Sequence, residues 1–221
     1  MRPVPTLVLL SGLGLAFTAP TQPARADGAT IALHGNARGA PACVTCHGAQ
    51  GEGMPANGFP RLAGLNAGYL QTQLDAFANG QRVNAMMTPI AQTLGADERA
   101  ELASYYGRMR NPVGAAKSVA KADSPGARLA LKGRWSQGLP ACVQCHGATG
   151  AGVGNVFPAL AGQSALYMEN QLHGWQQGAR TPGPMGLMKV IASKLSATDI
   201  QSVAAYFSAL PAGDPTPGSK P

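Results

Sequence analysis

Apolar positions fall at helical spacing in matching places of the two halves of the chain. Leu70, Leu74 and Phe77 line one face of a segment opened by Asn66 and closed by Gly80. Met168, Leu172 and Trp175 do the same between Ser164 and Gly178. Each half ends on a second amphipathic stretch, striped by Leu102, Tyr105, Tyr106 and Met109 in the first and by Val203, Tyr206, Phe207 and Leu210 in the second. Ser196, with Asp199 three positions on, predicts a capped helix start in which Asp takes the usual place of Glu. Long alternation of apolar and polar residues, the mark of a half-buried strand, is absent. The pattern predicts an all-α fold with long Gly/Pro-rich loops.

These segments match because the chain repeats itself. Cys43-Val44-Thr45-Cys46-His47-Gly48-Ala49 returns 99 residues later as Cys142-Val143-Gln144-Cys145-His146-Gly147-Ala148. Phe59-Pro60-Arg61-Leu62-Ala63-Gly64 returns as Phe157-Pro158-Ala159-Leu160-Ala161-Gly162. Tyr69, Gln73, Leu74, Gly80 and Arg82 match Tyr167, Gln171, Leu172, Gly178 and Arg180. So long a period excludes a solenoid and predicts two tandem domains of one fold, over residues 27–110 and 127–210. Residues 111–126 between them lack large apolar side chains and read as a linker. Residues 211–221, rich in Pro and Gly, read as a disordered tail.

Ahead of the first repeat, Arg2 and the apolar residues 7–17 precede Ala24-Arg25-Ala26, an A-x-A cleavage site. Residues 1–26 therefore read as an export signal cut after Ala26, which places the mature chain in the periplasm. The apolar stretch is too short to span a bilayer comfortably.

Composition changes the picture in one respect. Aromatic residues are only 5% of the 221, with 29 Gly and 18 Pro. That is thin material for two self-sufficient cores, and small domains of this kind usually lean on a metal or a covalent cofactor. Charge adds an asymmetry. Residues 27–110 hold six basic and six acidic residues, whereas 127–210 hold six basic against Glu169 and Asp199, a net +4.

All four cysteines lie in the two Cys-x-x-Cys-His motifs. In an exported chain this spacing reads as c-type haem attachment: two thiols join the two vinyl groups of one haem, and the adjacent His faces the iron. Cys43, Cys46 and His47 would hold one haem c, and Cys142, Cys145 and His146 the other. Disulfides do not explain the His after each pair, a thioredoxin-like pair wants a βαβ context, and zinc knuckles lie closer together. For the sixth iron position the duplication selects Met87 and Met188, each three before an Ile-Ala pair and seven before a Leu. Met86 and Met185 have no such equivalence. His34 and His173 are not repeat-equivalent and read as surface residues. Pro60 and Pro158, or their neighbours, are candidates to accept the second ring N–H of each ligating His.

The chain resembles the cytochrome c4 family, two class I cytochrome c domains in tandem, each wrapped around one haem. The resemblance rests on CVTCHGAQG and CVQCHGATG, FPRLAG and FPALAG, the Tyr-Leu-x-x-Gln-Leu type segment, and MTPIAQTL and MKVIASKL. It implies the axial pairs His47/Met87 and His146/Met188 and haems close enough to exchange electrons. It also implies a periplasmic, sometimes loosely membrane-associated carrier between a quinol-oxidising complex and a haem-copper terminal oxidase. Irons capped on both faces leave no site for a small-molecule substrate, and no nucleic-acid partner is expected. The basic second domain is expected to dock on an acidic partner and to hold the haem of higher potential. The alternative keeps the chemistry but makes the chain the electron-transfer subunit of a dehydrogenase, such as a sulfide-oxidising flavocytochrome. Enzyme readings fare worse: dihaem peroxidases need an open iron and run longer, and thiosulfate-oxidising sites use a Cys ligand where none is spare.

Overall fold

The computed structural model describes residues 27–112, 122–181 and 183–213. The expected export signal, most of the linker and the end of the tail lie outside the described residues. The first unit holds α1 (Gly28–His34), α2 (Val44–His47), α3 (Ala67–Ala78), α4 (Met87–Gln92) and α5 (Ala96–Arg108). The second repeats the order with α6 (Pro125–Lys132), α7 (Val143–His146), α8 (Ala165–Gln176), α9 (Leu187–Ser193) and α10 (Ala197–Ser208). Among the described residues there are isolated β-bridges and no strand, so the fold is all-α as expected.

Side chains set the helix starts. Asn66 accepts from the Tyr69 amide at 3.1 Å and Ser164 from the Tyr167 amide at 3.2 Å, which opens α3 and α8 at the expected places. Ser196 and Asp199 form the reciprocal capping box of α10. Met109 and Leu210 fall just past the ends of α5 and α10 but still pack on the two cores.

In each unit the first helix crosses the last: α1 packs on α5 and α6 on α10. The crossing is tight enough to demand glycine. A Cβ on Gly28 would lie 2.2 Å from the Glu101 carbonyl oxygen, and one on Gly126 would lie 2.0 Å from that of Ser202. Ile31, Leu65, Leu70, Leu94, Leu102 and Tyr106 fill the first core. Leu129, Leu139, Met168, Leu195, Ile200, Val203 and Phe207 fill the second. Neither α1 nor α6 is predicted by periodicity. Pro125 and Gly126, read from sequence as linker, open α6 with Ser124 as its cap. Ala212, within the expected tail, lies directly over Gly162.

The units meet where the segments that follow α3 and α8 run side by side. Val83 N–H donates to the Ala179 carbonyl and Thr181 N–H to the Gln81 carbonyl, each at 2.9 Å. Arg82 and Arg180 form an antiparallel bridge between the two units.

Candidate haem-binding sites

Each Cys-x-x-Cys-His motif forms one turn of helix at a cavity wall. Cys43 precedes α2 and Cys142 precedes α7, and His47 and His146 close those turns and are buried at 6% and 7% exposure. Glycines carry the chain away: Gly53 N–H returns to the His47 carbonyl at 2.7 Å and Gly152 N–H to the His146 carbonyl at 2.8 Å. The four thiols are not paired in disulfides. Burial pushes the Cys43 and Cys142 thiols up to about 11.

The imidazoles are oriented by backbone. His47 Nδ1 lies 3.0 Å from the Pro60 carbonyl oxygen, and His146 Nδ1 lies 2.8 Å from that of Pro158. A carbonyl only accepts, so Nδ1 carries the proton and Nε2 is left as a free lone pair. Burial, opposed by these carbonyls, lowers both histidine pKa values and keeps the rings neutral. Phe59 and Phe157 flank the rings at 6.3 and 6.0 Å between centroids. The sequence reading of the two prolines is met in both units.

The cavities in front of these rings measure about 680 and 630 Å³. Cys43, Cys46, His47 and Met87 line the first. Cys142, Cys145, His146 and Met188 line the second. Met86 also reaches the first wall, whereas Met185 is 84% exposed and lies off the second. Asn84 holds the start of α4 by accepting from the Met86 and Met87 amides at 3.0 and 2.9 Å. His34 is exposed, as read from sequence. His173 is half-buried on the far wall of the first cavity, its Nδ1 3.0 Å from Gln176 Oε1, so it is less peripheral than its lack of a repeat partner suggests.

Seven residues line both cavities: Leu65, together with six polar ones, Tyr69, Gln73, Arg82 and their repeat equivalents Tyr167, Gln171 and Arg180. Arg82 donates to Gln73 Oε1 and to the Tyr167 hydroxyl, each at 3.0 Å, and Arg180 donates to Gln73 Oε1 at 2.8 Å. None of the ion pairs among the described residues reaches either guanidinium. Burial and the charge of Arg82 both lower the Arg180 pKa. Two like charges sharing a dry seam call for negative groups. Haem fits these sites on three counts: thiols and imidazole in register, apolar walls on either side, and cations where its propionates can be received. Sequence matching revealed these six residues as repeats but not as one cluster.

The fold and the paired sites define a tandem c-type cytochrome. The cytochrome c family model matches residues 26–106 and 125–211. The chain is 49% identical to a thiosulfate dehydrogenase electron acceptor of Stutzerimonas stutzeri, over 82% of this chain and 85% of that protein. It is 36% identical to a cytochrome c4 of Pseudomonas aeruginosa, over 84% of this chain and 91% of that protein. A solved thiosulfate dehydrogenase from Marichromatium purpuratum superposes with a TM-score of 0.76 at 43% identity. That likeness covers 83% of this chain, which spans 40% of the larger protein. The chain belongs to the cytochrome c family, in its dihaem, cytochrome c4-like branch. It carries two covalently attached haem c groups and works as an electron carrier that interacts with redox partner proteins, not as a catalyst of substrate chemistry. Among the described residues no helix is long and apolar enough to cross a membrane.

Proposed function

We propose that this carrier takes electrons from a dehydrogenase that oxidises thiosulfate and passes them toward a terminal oxidase. The observation that carries the reading is the shared seam: seven residues belong to both cavities, so the two one-electron centres form a joined pair. A dehydrogenase that oxidises its substrate by two electrons is matched by a carrier that accepts two. The 49% identity to a thiosulfate dehydrogenase electron acceptor, against 36% to a cytochrome c4, supports that donor over a quinol-oxidising complex.

In this reading His47 with Met87, and His146 with Met188, would hold the two irons, and the four cysteines would anchor the rings. Bound haem supplies reversible one-electron chemistry, and the Met/His pair raises its potential. The protein keeps each imidazole neutral by burial, orients it through the Pro60 and Pro158 carbonyls, shuts water out with apolar walls, and would meet the propionates with Arg82 and Arg180. The four exposed cations of the second unit, Arg128, Lys132, Lys189 and Lys194, give an acidic partner a landing face. The first domain is residues 27–110, the second begins with α6 at Pro125, and cleavage after Ala26 delivers the chain to the periplasm, where loose membrane association is compatible with its basic half.

Stopped-flow mixing of the ferric holoprotein with a thiosulfate dehydrogenase and thiosulfate tests this. Fast reduction of both haems, slowed by salt, is expected. Reduction no faster than with thiosulfate alone, together with fast reduction by a quinol-oxidising complex, would favour that complex as the donor instead.

A further inference from the structure

Position 61 breaks the symmetry of the duplication. Arg61 stands where the second unit has Ala159. It is 2% exposed and lines the first cavity but not the second. Its Nη1 donates to the Ala63 carbonyl at 2.5 Å and its Nη2 to the Ala161 carbonyl at 3.2 Å, so the guanidinium sits between equivalent carbonyls of the two units. The Gln163 amide clamps its backbone, accepting from Arg61 N–H at 2.9 Å and donating to the Arg61 carbonyl at 3.0 Å. Its Nε is buried without a partner, and none of the ion pairs among the described residues reaches it. Burial pushes its pKa down to about 10, which leaves it charged at neutral pH.

We propose that Arg61 sets the reduction potential of the first haem separately from the second. The proposal rests on the reading of each cavity as a haem site. A ferric haem carries one more positive charge than a ferrous one, so a buried cation beside it disfavours the ferric form and raises the potential. Water and salt screen the surface cations of the second unit over about 8–10 Å, whereas a buried charge is screened far less. Arg82 and Arg180 line both cavities and act on both centres; Arg61 lines one. It therefore offsets the surface surplus that would otherwise favour electrons on the second haem, and it narrows the gap between the two. Electrons then spread over both centres, as a carrier loaded in pairs requires.

Potentiometric titration of the holoprotein, followed by absorption and NMR, tests this with Arg61→Gln and Arg61→Lys. Haem methyl signals are assigned to a unit through their contacts with Phe59 or Phe157. In Arg61→Gln the ferrous-to-ferric ratio of the first haem is expected to fall about tenfold at a fixed ambient potential, equivalent to about 59 mV. The second haem should stay within about twofold, and Arg61→Lys should keep both near wild type. Should Arg61→Gln not fold, Arg61→Met keeps the buried stem and is read in the same way. Equal shifts at both haems, no shift at either, or equal effects of Lys and Gln would overturn the proposal. Wild-type protein without c-type haem absorbance would instead sink the reading of the cavities themselves.

Discussion

Arg82 and Arg180 lie opposite one another in an antiparallel bridge, and both guanidiniums donate to the same two amides, those of Gln73 and Gln171. Each also lies over a ring of its own unit, Arg82 4.3 Å from the Phe77 centroid and Arg180 3.9 Å from that of Trp175. Amides, hydroxyls and ring faces satisfy these cations without neutralising them. The seam therefore holds a pair of positive charges equidistant in role from both cavities.

Removing either charge should be felt at both haems. Arg82→Gln or Arg180→Gln is expected to lower both potentials, by about tenfold in each ferrous-to-ferric ratio. Potentiometry checks this, and a shift confined to one haem would show that the seam is not shared.

The helix crossings should not tolerate a methyl group. Gly28→Ala and Gly126→Ala each force backbone atoms apart, and overpacking of this kind costs about 1–3 kcal/mol. Denaturant unfolding followed at the haem absorbance should show a lowered midpoint in each variant. Unchanged midpoints would mean that the crossings are looser than described.

Those crossings also mark where sequence reading stops. The inward faces of α1 and α6 are small, Gly28, Ile31 and Ala32 in one and Gly126, Ala127, Leu129 and Ala130 in the other, so a short helix of close contacts looks like loop. Longer stripes such as Leu70, Leu74 and Phe77, with Asn66 to open them, were legible because large side chains and a cap coincide. The carbonyls of Pro60 and Pro158 were legible because a ligating imidazole needs an acceptor at its other nitrogen. The seam was not. A repeat shows that Tyr69 equals Tyr167 and Arg82 equals Arg180, but not that the equivalents face each other. Arg61 was hidden for the opposite reason, because a break in a repeat reads as drift until its burial is known.

Acid should weaken the second unit through Asp199. Burial raises its carboxyl pKa, but the Arg134 bond at 2.6 Å and the contacts with Ser196 outweigh that and hold it below 3.8. Its contribution is therefore present above about pH 4 and lost as the pH falls through the folded value. Asp199→Ala is expected to cost about 1 kcal/mol at pH 7 and less at pH 3. Unfolding of wild type and variant at the two pH values checks this, and a gap of equal size at both would contradict it.

The ferric absorption spectrum of single-methionine variants bears most directly on the carrier reading. Wild-type protein should show the weak long-wavelength band of methionine sulfur on ferric iron. Met87→Ala and Met188→Ala should each remove about half of it and lower one potential, the double variant should lose it entirely, and the exposed Met185→Ala should change nothing. A band that survives the double variant would contradict the assignment. So would its absence from wild type, because neither iron would then be capped by methionine sulfur.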